Sequence, residues 1–528
     1  MRSQMDEDQR ARLKAIEPDK SFIVKAPAGS GKTGLLVKRY LRLLSLAESP
    51  EEVVAITFTR KASTEMRNQI QDALESALTE TKPENEHEED RIKFAIDVLK
   101  QDKKKKWHLL DSPDRLRIQT IDGLSTFLTQ RMPILAKFGA QPDVTEDAKY
   151  LYKLATTDTF NLFNEDKEFL HSINEIILHF GNNIPRIKNS ITKMLQTRDL
   201  WLRPVSTKYS QDKMKQDLVQ LIESDLEMVA TIFPSECKQE LVKLLRYAAK
   251  NINGPATKIS SISVFPDGGI DNLAYWYGVS TLLLTQSGTW RKQFTKRDGF
   301  PVSGKAEKVK VKSLIEKLEK IDLLEKRLQK INDLPSADSL EIGWELIELA
   351  KKLLKTTAAQ LEIIFSEYNL VDFTGVSQHA VNALGEDNCP TNLALALDYQ
   401  IKHLLVDEVQ DLSESQYRLL HRLTREWSLG DGRTLFLVGD PQQAIYRFRG
   451  AEVRFFLKIF KDGSLGNIPL EPLKISKNFR ASSDLVNWVN DKFAKIFPEE
   501  NLIEGAVPFI DSIPTRPKSK TCISHHSV

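Results

Sequence analysis

Short apolar runs alternate with helical patterns near both ends of the chain. The runs that predict buried strands are Phe22–Val24, Val53–Phe58, Leu116–Thr120, His403–Val406, Thr434–Val438 and Leu473–Ser476. Most of these runs are followed by a polar turn and a helical pattern, as at Glu414–Glu426. Strand, turn and helix in this order are typical of βαβ units, so the pattern predicts an α/β fold with a parallel sheet.

The middle of the chain has a different rhythm. Residues 134–370 are mostly helical in period and rich in Lys, Glu and Leu. Within them, Ser313–Asn332 carries apolar residues three and four apart with charges between, which predicts one amphipathic helix. Ser313 and Glu316 would suit a capping box at its start. The charged stretch Thr81–Lys106 is expected to join the same helical lobe. We therefore expect a large helical insertion in an α/β domain.

Composition narrows the class of protein. With 528 residues the chain is too long for one core, and 41% hydrophobic with 28% charged residues is ordinary for a globular protein. The net charge of +2 does not by itself call for nucleic acid. Cys237, Cys389 and Cys522 lack CxxC spacing, which argues against zinc or iron–sulfur sites and fits a reducing compartment. Without a membrane-length apolar run or signal peptide, we expect a soluble cytoplasmic protein with no membrane partner.

The segment Ala26–Thr33, which follows the apolar run Ser21–Lys25, reads APAGSGKT. It predicts a phosphate-binding loop whose backbone N–H groups cradle phosphates, while Lys32 reaches the β/γ oxygens and the Thr33 hydroxyl holds Mg²⁺. Glycines within the loop let the backbone approach an anion closely. Ala26 stands where the usual pattern has its first glycine.

A second segment, Ile401–Asp411, predicts a buried strand that ends in two adjacent carboxylates. Ligands bind at this carboxyl edge in open α/β sheets. There Asp407 could hold the Mg²⁺ that Thr33 also contacts, and Glu408 could orient the water that attacks a γ-phosphate. The alternative is an exposed Asp-Glu pair at an ordinary turn.

In the third segment, Leu435–Ala451, a strand leads into two amides and then alternating aromatic and arginine residues. Amides near a nucleotide can sense a γ-phosphate, and interleaved aromatic and arginine side chains suit single-stranded nucleic acid. A packed loop with core aromatics is the alternative.

Together these segments resemble the motifs of UvrD/Rep-type superfamily 1 DNA helicases, in the branch of the exonuclease V beta subunit (RecB-like and AddA-like proteins). Asp6–Gln9 resembles the Q motif, Ala26–Thr33 motif I, and Thr57–Met66 motif Ia. Gln119–Leu124 is similar to the TIH-type segment, with Asp122 where UvrD-like members carry His. Asp407–Asp411 and Gly439–Ala451 resemble motifs II and III, and Lys477–Arg480 the NYR element of motif IV, with Phe479 replacing Tyr.

The resemblance implies ATP and Mg²⁺ as cofactors. It implies an ATP site made of Gln9, Ala26, Pro27, Ala28, Gly29, Ser30, Gly31, Lys32, Thr33 and Phe479, with Gln9 and Phe479 at the adenine. The catalytic residues would be Lys32, Asp407, Glu408, Gln443 and Arg480, the last as an arginine finger. Thr33 and Asp407 would be the Mg²⁺ ligands. DNA would contact Phe58, Thr59, Tyr446, Phe448 and Arg449. Gly34 stands where some UvrD-like members have Arg, which weakens the nucleotide contacts expected there.

The resemblance also implies a division into domains. The RecA-like motor domain would comprise 1–75, 107–135 and 371–458, the helical insertion 76–106 and 136–370, and 459–528 the start of a second RecA-like domain. No VHxxKGLE-like or VAxTRA-like segment follows Arg480, so we expect truncation before motifs V and VI. A frameshift product, a fragment and one piece of a split protein all stay open.

The implied function is a motor fragment of an ATP-dependent 3′→5′ DNA helicase/translocase in recombinational repair. Its partners would be single-stranded or partly duplex DNA and other subunits of an exonuclease V-like complex. We expect weak Mg·ATP and DNA binding with little unwinding. The alternative is a non-enzymatic ATP- and DNA-binding remnant, or a subunit that needs a partner for turnover. A P-loop kinase or GTPase would not explain Thr57–Met66 or residues 444–451.

Arg291–Lys312 is a basic segment with eight Lys or Arg against two acids. Such a stripe suits DNA phosphates even in a nearly neutral chain. A solvated helix face and loop is the alternative, and it is the stronger reading for Lys103–Lys106.

Overall fold

A computed structural model describes residues 6–79, 83, 86–132, 142–165, 167–206, 211–252, 262–285, 287–321, 323–332, 334, 337–386, 389–447, 450–498 and 505–518. The chain divides into two compact units. The first unit is Met1–Thr159, Lys188–Arg203 and Thr357–Val528, and the second unit is Phe160–Ile187 and Pro204–Thr356.

The strands are β1 Phe22–Lys25, β2 Val53–Thr57, β3 Arg117–Thr120, β4 Asp143–Val144, β5 Leu370–Val371, β6 Gly385–Glu386, β7 Cys389–Pro390, β8 His403–Val406, β9 Thr434–Gly439, β10 Ser464–Leu465, β11 Ile468–Pro469, β12 Glu471–Lys474, β13 Lys477–Ser482 and β14 Ile513–Arg516. The helices are α1 Glu7–Ala15, α2 Lys32–Leu44, α3 Arg60–Leu78, α4 Glu86–Lys105, α5 Ile121–Arg131, α6 Lys149–Glu165, α7 Lys167–His179, α8 Ile184–Gln196, α9 Arg198–Ser206, α10 Gln211–Ile232, α11 Ser235–Asn251, α12 Leu273–Leu283, α13 Lys305–Leu318, α14 Leu324–Asn332, α15 Ala337–Tyr368, α16 Phe373–Ala383, α17 Asn392–Gln400, α18 Glu414–Leu423, α19 Val453–Asp462 and α20 Ser483–Phe493.

A six-stranded parallel sheet forms the centre of the first unit, in the order β12-β1-β9-β8-β2-β3. Every residue of β1, β2 and β9 is buried, which is why these strands appear in the sequence as unbroken apolar runs. Helices α2, α3 and α4 contribute to the core on one face, and α5, α16, α18 and α19 to the core on the other. The predicted α/β fold with a parallel sheet is confirmed.

Two segments lie elsewhere than the sequence suggested. Helix α4, expected in the helical lobe, packs on α2 and α3 and buries Ile92, Ala95 and Val98 in the core beside the sheet. Strand β12, expected at the start of a second domain, pairs with β1 as the edge of the same sheet, with Phe22 opposite Glu471. The first unit therefore extends further along the chain than expected.

The prediction of one helix over Ser313–Asn332 is wrong. Residues 305–318 form α13 and 324–332 form α14, so Ser313 lies inside a helix and does not cap one. Leu323, with φ of 66°, has left-handed backbone between the two helices. Apolar residues on both sides of the break enter the same core, so the periodicity continues across it and conceals it.

The second unit has its own core. Residues of α10–α14 meet there around Trp276 and Phe300, both of which are fully buried. The segment before α13 is held by a capping box between Thr295 and Asp298 and by Gly299 at φ of 86°. In the described parts of both units, no helix is long and apolar enough to cross a membrane.

Candidate active site

The phosphate-loop sequence connects β1 to α2. Gly29 and Gly31 have φ of 76° and 79°, left-handed values that residues with a Cβ rarely adopt. Ala26 is not among the positive-φ residues of the described chain and its side chain is buried in the core, which explains why the loop accepts alanine there. Ser30 Oγ is buried and hydrogen-bonds to no described residue. The loop thus has the backbone form and a spare polar atom suited to an anion.

Lys32 begins α2 and reaches across the sheet edge. Its Nζ lies 2.9 Å from Oε2 and 3.2 Å from Oε1 of Glu408. Glu408 follows β8 with left-handed backbone (φ 52°), and its N–H donates to Asp407 Oδ1 (2.9 Å). The lysine of the predicted loop and the predicted carboxylate pair therefore lie together. A nucleotide triphosphate would compete with Glu408 for the same ammonium group.

The carboxylates at this edge are electrostatically crowded. Burial, reinforced by the charge of Glu408, raises the pKa of Asp407 to about 7. The same two causes raise the pKa of Asp411 to about 7. A divalent cation would offset this cost by favouring the charged carboxylate. Because Mg²⁺ prefers carboxylate and hydroxyl oxygens, Asp407 and the Thr33 hydroxyl near the start of α2 fit the predicted ion.

Gln410 connects the carboxylates to the loop after β9. Its Nε2 donates to Glu408 Oε2 (2.8 Å), and its Oε1 accepts the N–H of Asp440 (2.9 Å). Asp440 in turn accepts a hydrogen bond from the side chain of Gln443. A short chain of hydrogen bonds thus joins the predicted γ-phosphate sensor, Gln443, to Glu408.

Two predicted DNA-binding aromatics are neighbours. The ring centroids of Phe58 and Tyr446 are 4.6 Å apart with the planes tilted by 39°. Thr59 is exposed and caps α3 by accepting the N–H of Ala62 (3.1 Å). Phe448 and Arg449 lie outside the described residues. The structure therefore places Phe58, Thr59 and Tyr446 side by side.

The Q-motif segment lies against the start of β13. Asp8 is buried and accepts the N–H groups of Ser476 (2.6 Å) and Lys477 (3.0 Å). Burial opposes ionisation, but these bonds and one from Arg12 together lower the pKa of Asp8. Gln9 donates its own N–H to the capping Asp6 (2.8 Å). Asp8, which had no predicted role, fastens this helix to the segment that carries the predicted finger.

Arg12 joins three parts of the site. Its Nε donates to Asp8 (2.6 Å), its Nη2 to the carbonyl of Ser30 (2.8 Å), and its guanidinium lies 5.1 Å from the ring centroid of Phe479. Phe479 is 44% exposed, as a ring that stacks on a base would need to be. The guanidinium of Arg480 is exposed and forms no ion pair with the described residues.

Comparison with known proteins agrees with this geometry. The sequence profile of the family described as UvrD/REP helicase N-terminal domain matches residues 5–463. The chain belongs to this family. The match runs from the Q-motif segment to α19 and so includes the phosphate loop, the carboxylate pair and the Phe58–Tyr446 pair.

Curated relatives point to one branch of the family, the ATP-dependent helicase/nuclease subunits. The chain is 25% identical over 519 residues to such a protein from Oceanobacillus iheyensis, covering 91% of this chain and 38% of that protein. It is 26% identical over 532 residues to the protein of the same name from Bacillus mycoides, and 23% over 531 residues to that from Clostridium beijerinckii, covering 94% of this chain and 40% of each relative. The chain thus spans about two fifths of these relatives.

Among the residues that sequence reasoning missed, Asp122 shows how family motifs are connected here. Asp122 Oδ1 accepts a hydrogen bond from Gln416 Nε2 (3.0 Å). Gln416 also closes the capping box of Ser413 at the start of α18, just after the carboxylate pair. The Ser-x-x-Gln spacing could have indicated the cap, but nothing in the sequence indicates its link to Asp122.

Proposed function

We propose that this chain is the ATP-hydrolysing motor segment of a 3′→5′ DNA helicase/translocase that acts in recombinational repair. One observation carries the proposal: the phosphate-loop lysine lies 2.9 Å from Glu408, at the sheet edge where a nucleotide would bind. The Phe58–Tyr446 pair supplies a stacking surface for single-stranded DNA. The relatives are named as one component of an ATP-dependent helicase/nuclease, which supports a further protein component as partner.

The proposed domains follow from the same motifs. The motor domain comprises 1–75, 107–135 and 371–458, with 76–106 and 136–370 as its helical insertion and 459–528 as the beginning of a second RecA-like domain. The packing of α4 and β12 recommends moving both into the motor domain.

In the proposed reaction a water oxygen bonds to the γ-phosphorus of ATP while the bond to the bridging oxygen breaks, and a water proton leaves. The loop N–H groups and Lys32 hold the phosphates, and Glu408 orients the water and takes its proton. Thr33 and Asp407 would hold Mg²⁺, which neutralises phosphate charge when bound. Gln443 would report the γ-phosphate to the neighbouring Tyr446. Arg480 would stabilise the developing charge as the finger.

The adenine and DNA contacts complete the proposal. Phe479 would stack on the adenine and Gln9 would read its edge. Phe58, Thr59 and Tyr446, with Phe448 and Arg449, would contact single-stranded DNA.

Steady-state ATP hydrolysis with Mg²⁺, with and without single-stranded DNA, tests this function. We expect DNA-stimulated turnover that is lost in both Lys32→Ala and Glu408→Gln. Turnover that requires an added polypeptide would favour the partner-dependent alternative. Failure to bind nucleotide would contradict the proposal. Displacement of streptavidin from a 3′- or a 5′-biotinylated strand gives the direction of movement.

A further inference from the structure

The side chain of Asn478 bridges the phosphate loop and the segment that carries Arg480. Its Nδ2 donates to the carbonyl of Ala28 (3.0 Å). Its Oδ1 accepts the N–H groups of Arg480 and Ala481, both at 2.9 Å. One carboxamide therefore binds the loop with its nitrogen and shapes the turn at Arg480 with its oxygen.

Further contacts hold the same alignment. The N–H of Phe479 donates to the carbonyl of Gly29 (2.8 Å), and Thr515 Oγ1 donates to the carbonyl of Asn478 (2.6 Å). A Cβ on Gly29 would lie 2.7 Å from Asn478 Oδ1, closer than real Cβ contacts allow. Gly29 is thus required by its φ of 76° and also by the side chain packed against it.

No other side chain reproduces this arrangement. Aspartate keeps the acceptor for the turn but loses the donor to Ala28. Alanine loses both. Glutamine carries the same groups one methylene further out. The site uses both ends of the asparagine carboxamide at the length that asparagine provides.

We propose that Asn478 is a positioning residue that sets Arg480 against the phosphate loop during ATP hydrolysis. The inference rests on the proposed ATPase function. As the bond between the γ-phosphorus and the bridging oxygen breaks, negative charge grows on the leaving ADP oxygen, and the guanidinium stabilises it only at the correct distance. Asn478 touches no reacting atom and acts through Arg480. Nucleotide affinity rests on the loop N–H groups and Lys32, which this side chain leaves in place.

The test is a double-mutant cycle with Asn478→Ala and Arg480→Ala in the full chain. We expect Asn478→Ala to lower kcat at least tenfold while the Kd for a fluorescent ATP analogue changes less than threefold. In the Arg480→Ala background the same change should lower kcat less than twofold, because the group it positions is gone. Equal losses in both backgrounds would show a general structural role and overturn the inference.

Two further variants sharpen the cycle. Asn478→Asp keeps the turn but not the bond to Ala28, so wild-type kcat in this variant would also overturn the inference. Asn490→Ala is the matched control. Asn490 likewise joins two backbone groups, those of Ser512 (2.9 and 3.1 Å), and we expect its loss to leave kcat within threefold of wild type.

A second readout separates this inference from the proposed function. The cycle is repeated by measuring the affinity for ADP with aluminium fluoride, which mimics the transferring phosphoryl group. A wild-type chain that binds this mimic but turns over no ATP contradicts the proposed function alone. Asn478→Ala should still weaken binding of the mimic tenfold when Arg480 is present, and equal weakening without Arg480 overturns the inference.

Discussion

A buried arginine fixes the protonation state of a histidine beneath the sheet. Arg39 donates to the carbonyls of Ala15 (2.6 Å) and Glu17 (2.9 Å), and its Nη2 lies 3.5 Å from Thr434 Oγ1. Arginine can only donate, so the hydroxyl proton of Thr434 points to His403 Nδ1, 2.8 Å away. His403 must therefore accept there, as a neutral ring. Burial, with the charges of Arg39 and Lys402, lowers the pKa of His403 to about 4.

This state makes stability depend on pH. A group whose pKa falls on folding contributes stability above its unfolded value, here 6.5, and that stability is lost as the pH falls toward 4. We predict that His403 costs the wild type about 2 kcal/mol between pH 7 and pH 5. His403→Asn keeps an acceptor for Thr434 and should lose less stability over this range in denaturant titrations.

His108→Asn provides the control for that titration, because His108 is exposed in the same unit. Its pH profile should follow the wild type. Parallel profiles for His403→Asn and the wild type would contradict the assignment of His403 as a buried neutral ring.

Single residues could be predicted where their chemistry is local. Lys32 and Glu408 each lie next to a buried apolar run, so their place at the sheet edge follows from the sequence. Asp8 and Arg12 could not be predicted in this way. The partner of Asp8, Ser476, is 468 residues away, and no local pattern indicates that pairing.

At the scale of elements, α9 is fastened to the first unit by a buried charge network. Arg198 donates from two nitrogens to Asp372, at 2.6 and 2.5 Å, and Tyr152 donates to the same carboxylate. The neighbouring Asp199 accepts the N–H of Ser415 in the first turn of α18 (2.9 Å). These bonds join α9 to the helix that follows the carboxylate pair.

Breaking the buried pair should be costly. Asp372→Asn leaves the Arg198 guanidinium buried without its counter-charge, and we predict a loss of about 3–5 kcal/mol of unfolding free energy. Chemical denaturation measures it. Asp491→Asn, which breaks the exposed pair with Lys495, is the control and should have little effect. Equal effects of the two variants would contradict the network's role.

The basic segment of the second unit is only partly available to a ligand. Arg291 is held by Asp298 (2.7 Å) and by two backbone carbonyls, so it shapes the loop. Lys296, Lys305 and Lys312 are exposed and form no ion pair within the described part of the chain. These three lysines form a cationic surface for DNA phosphates.

Replacing Lys296, Lys305 and Lys312 with Gln should weaken binding to a 3′-tailed duplex and flatten its salt dependence. Each lost phosphate contact removes about 0.7–0.9 from the slope of log K against log salt concentration. Fluorescence anisotropy over a salt series measures this. The same substitutions at the exposed Lys103, Lys104 and Lys106 are the control and should leave the slope unchanged. Equal slopes for the two triple variants would contradict the assignment.

Elements were predictable where burial is continuous and not where a break is concealed. Strand β8 has the predicted bounds, because its apolar run ends where the charged pair begins. The break between α13 and α14 escaped because Leu318 and Leu324 on either side are both buried in one core. The place of β12 as the sheet edge also escaped, since strand order is not encoded locally.

For the whole molecule, each unit has a separate core, and the nucleotide site lies in the first. A ligand that binds only the folded first unit at 100 times its Kd stabilises it by about 2.7 kcal/mol. We predict that Mg²⁺ with a non-hydrolysable ATP analogue slows hydrogen exchange in β1, α2 and β8 but not in α11–α13. Lys32→Ala should abolish the effect, and equal protection in both units would contradict the site's location.

The position of β1 also bears on how the chain folds during synthesis. Its two neighbours in the sheet are β9 and β12, which begin at Thr434 and Glu471. On the ribosome, the strand that leads into the phosphate loop must therefore remain unpaired until more than 400 further residues have been made. Contacts of such long sequence separation form slowly and leave apolar surface exposed meanwhile. The nascent first unit is thus a natural substrate for chaperones, and protease resistance around residue 22 should arise only after β12 has emerged.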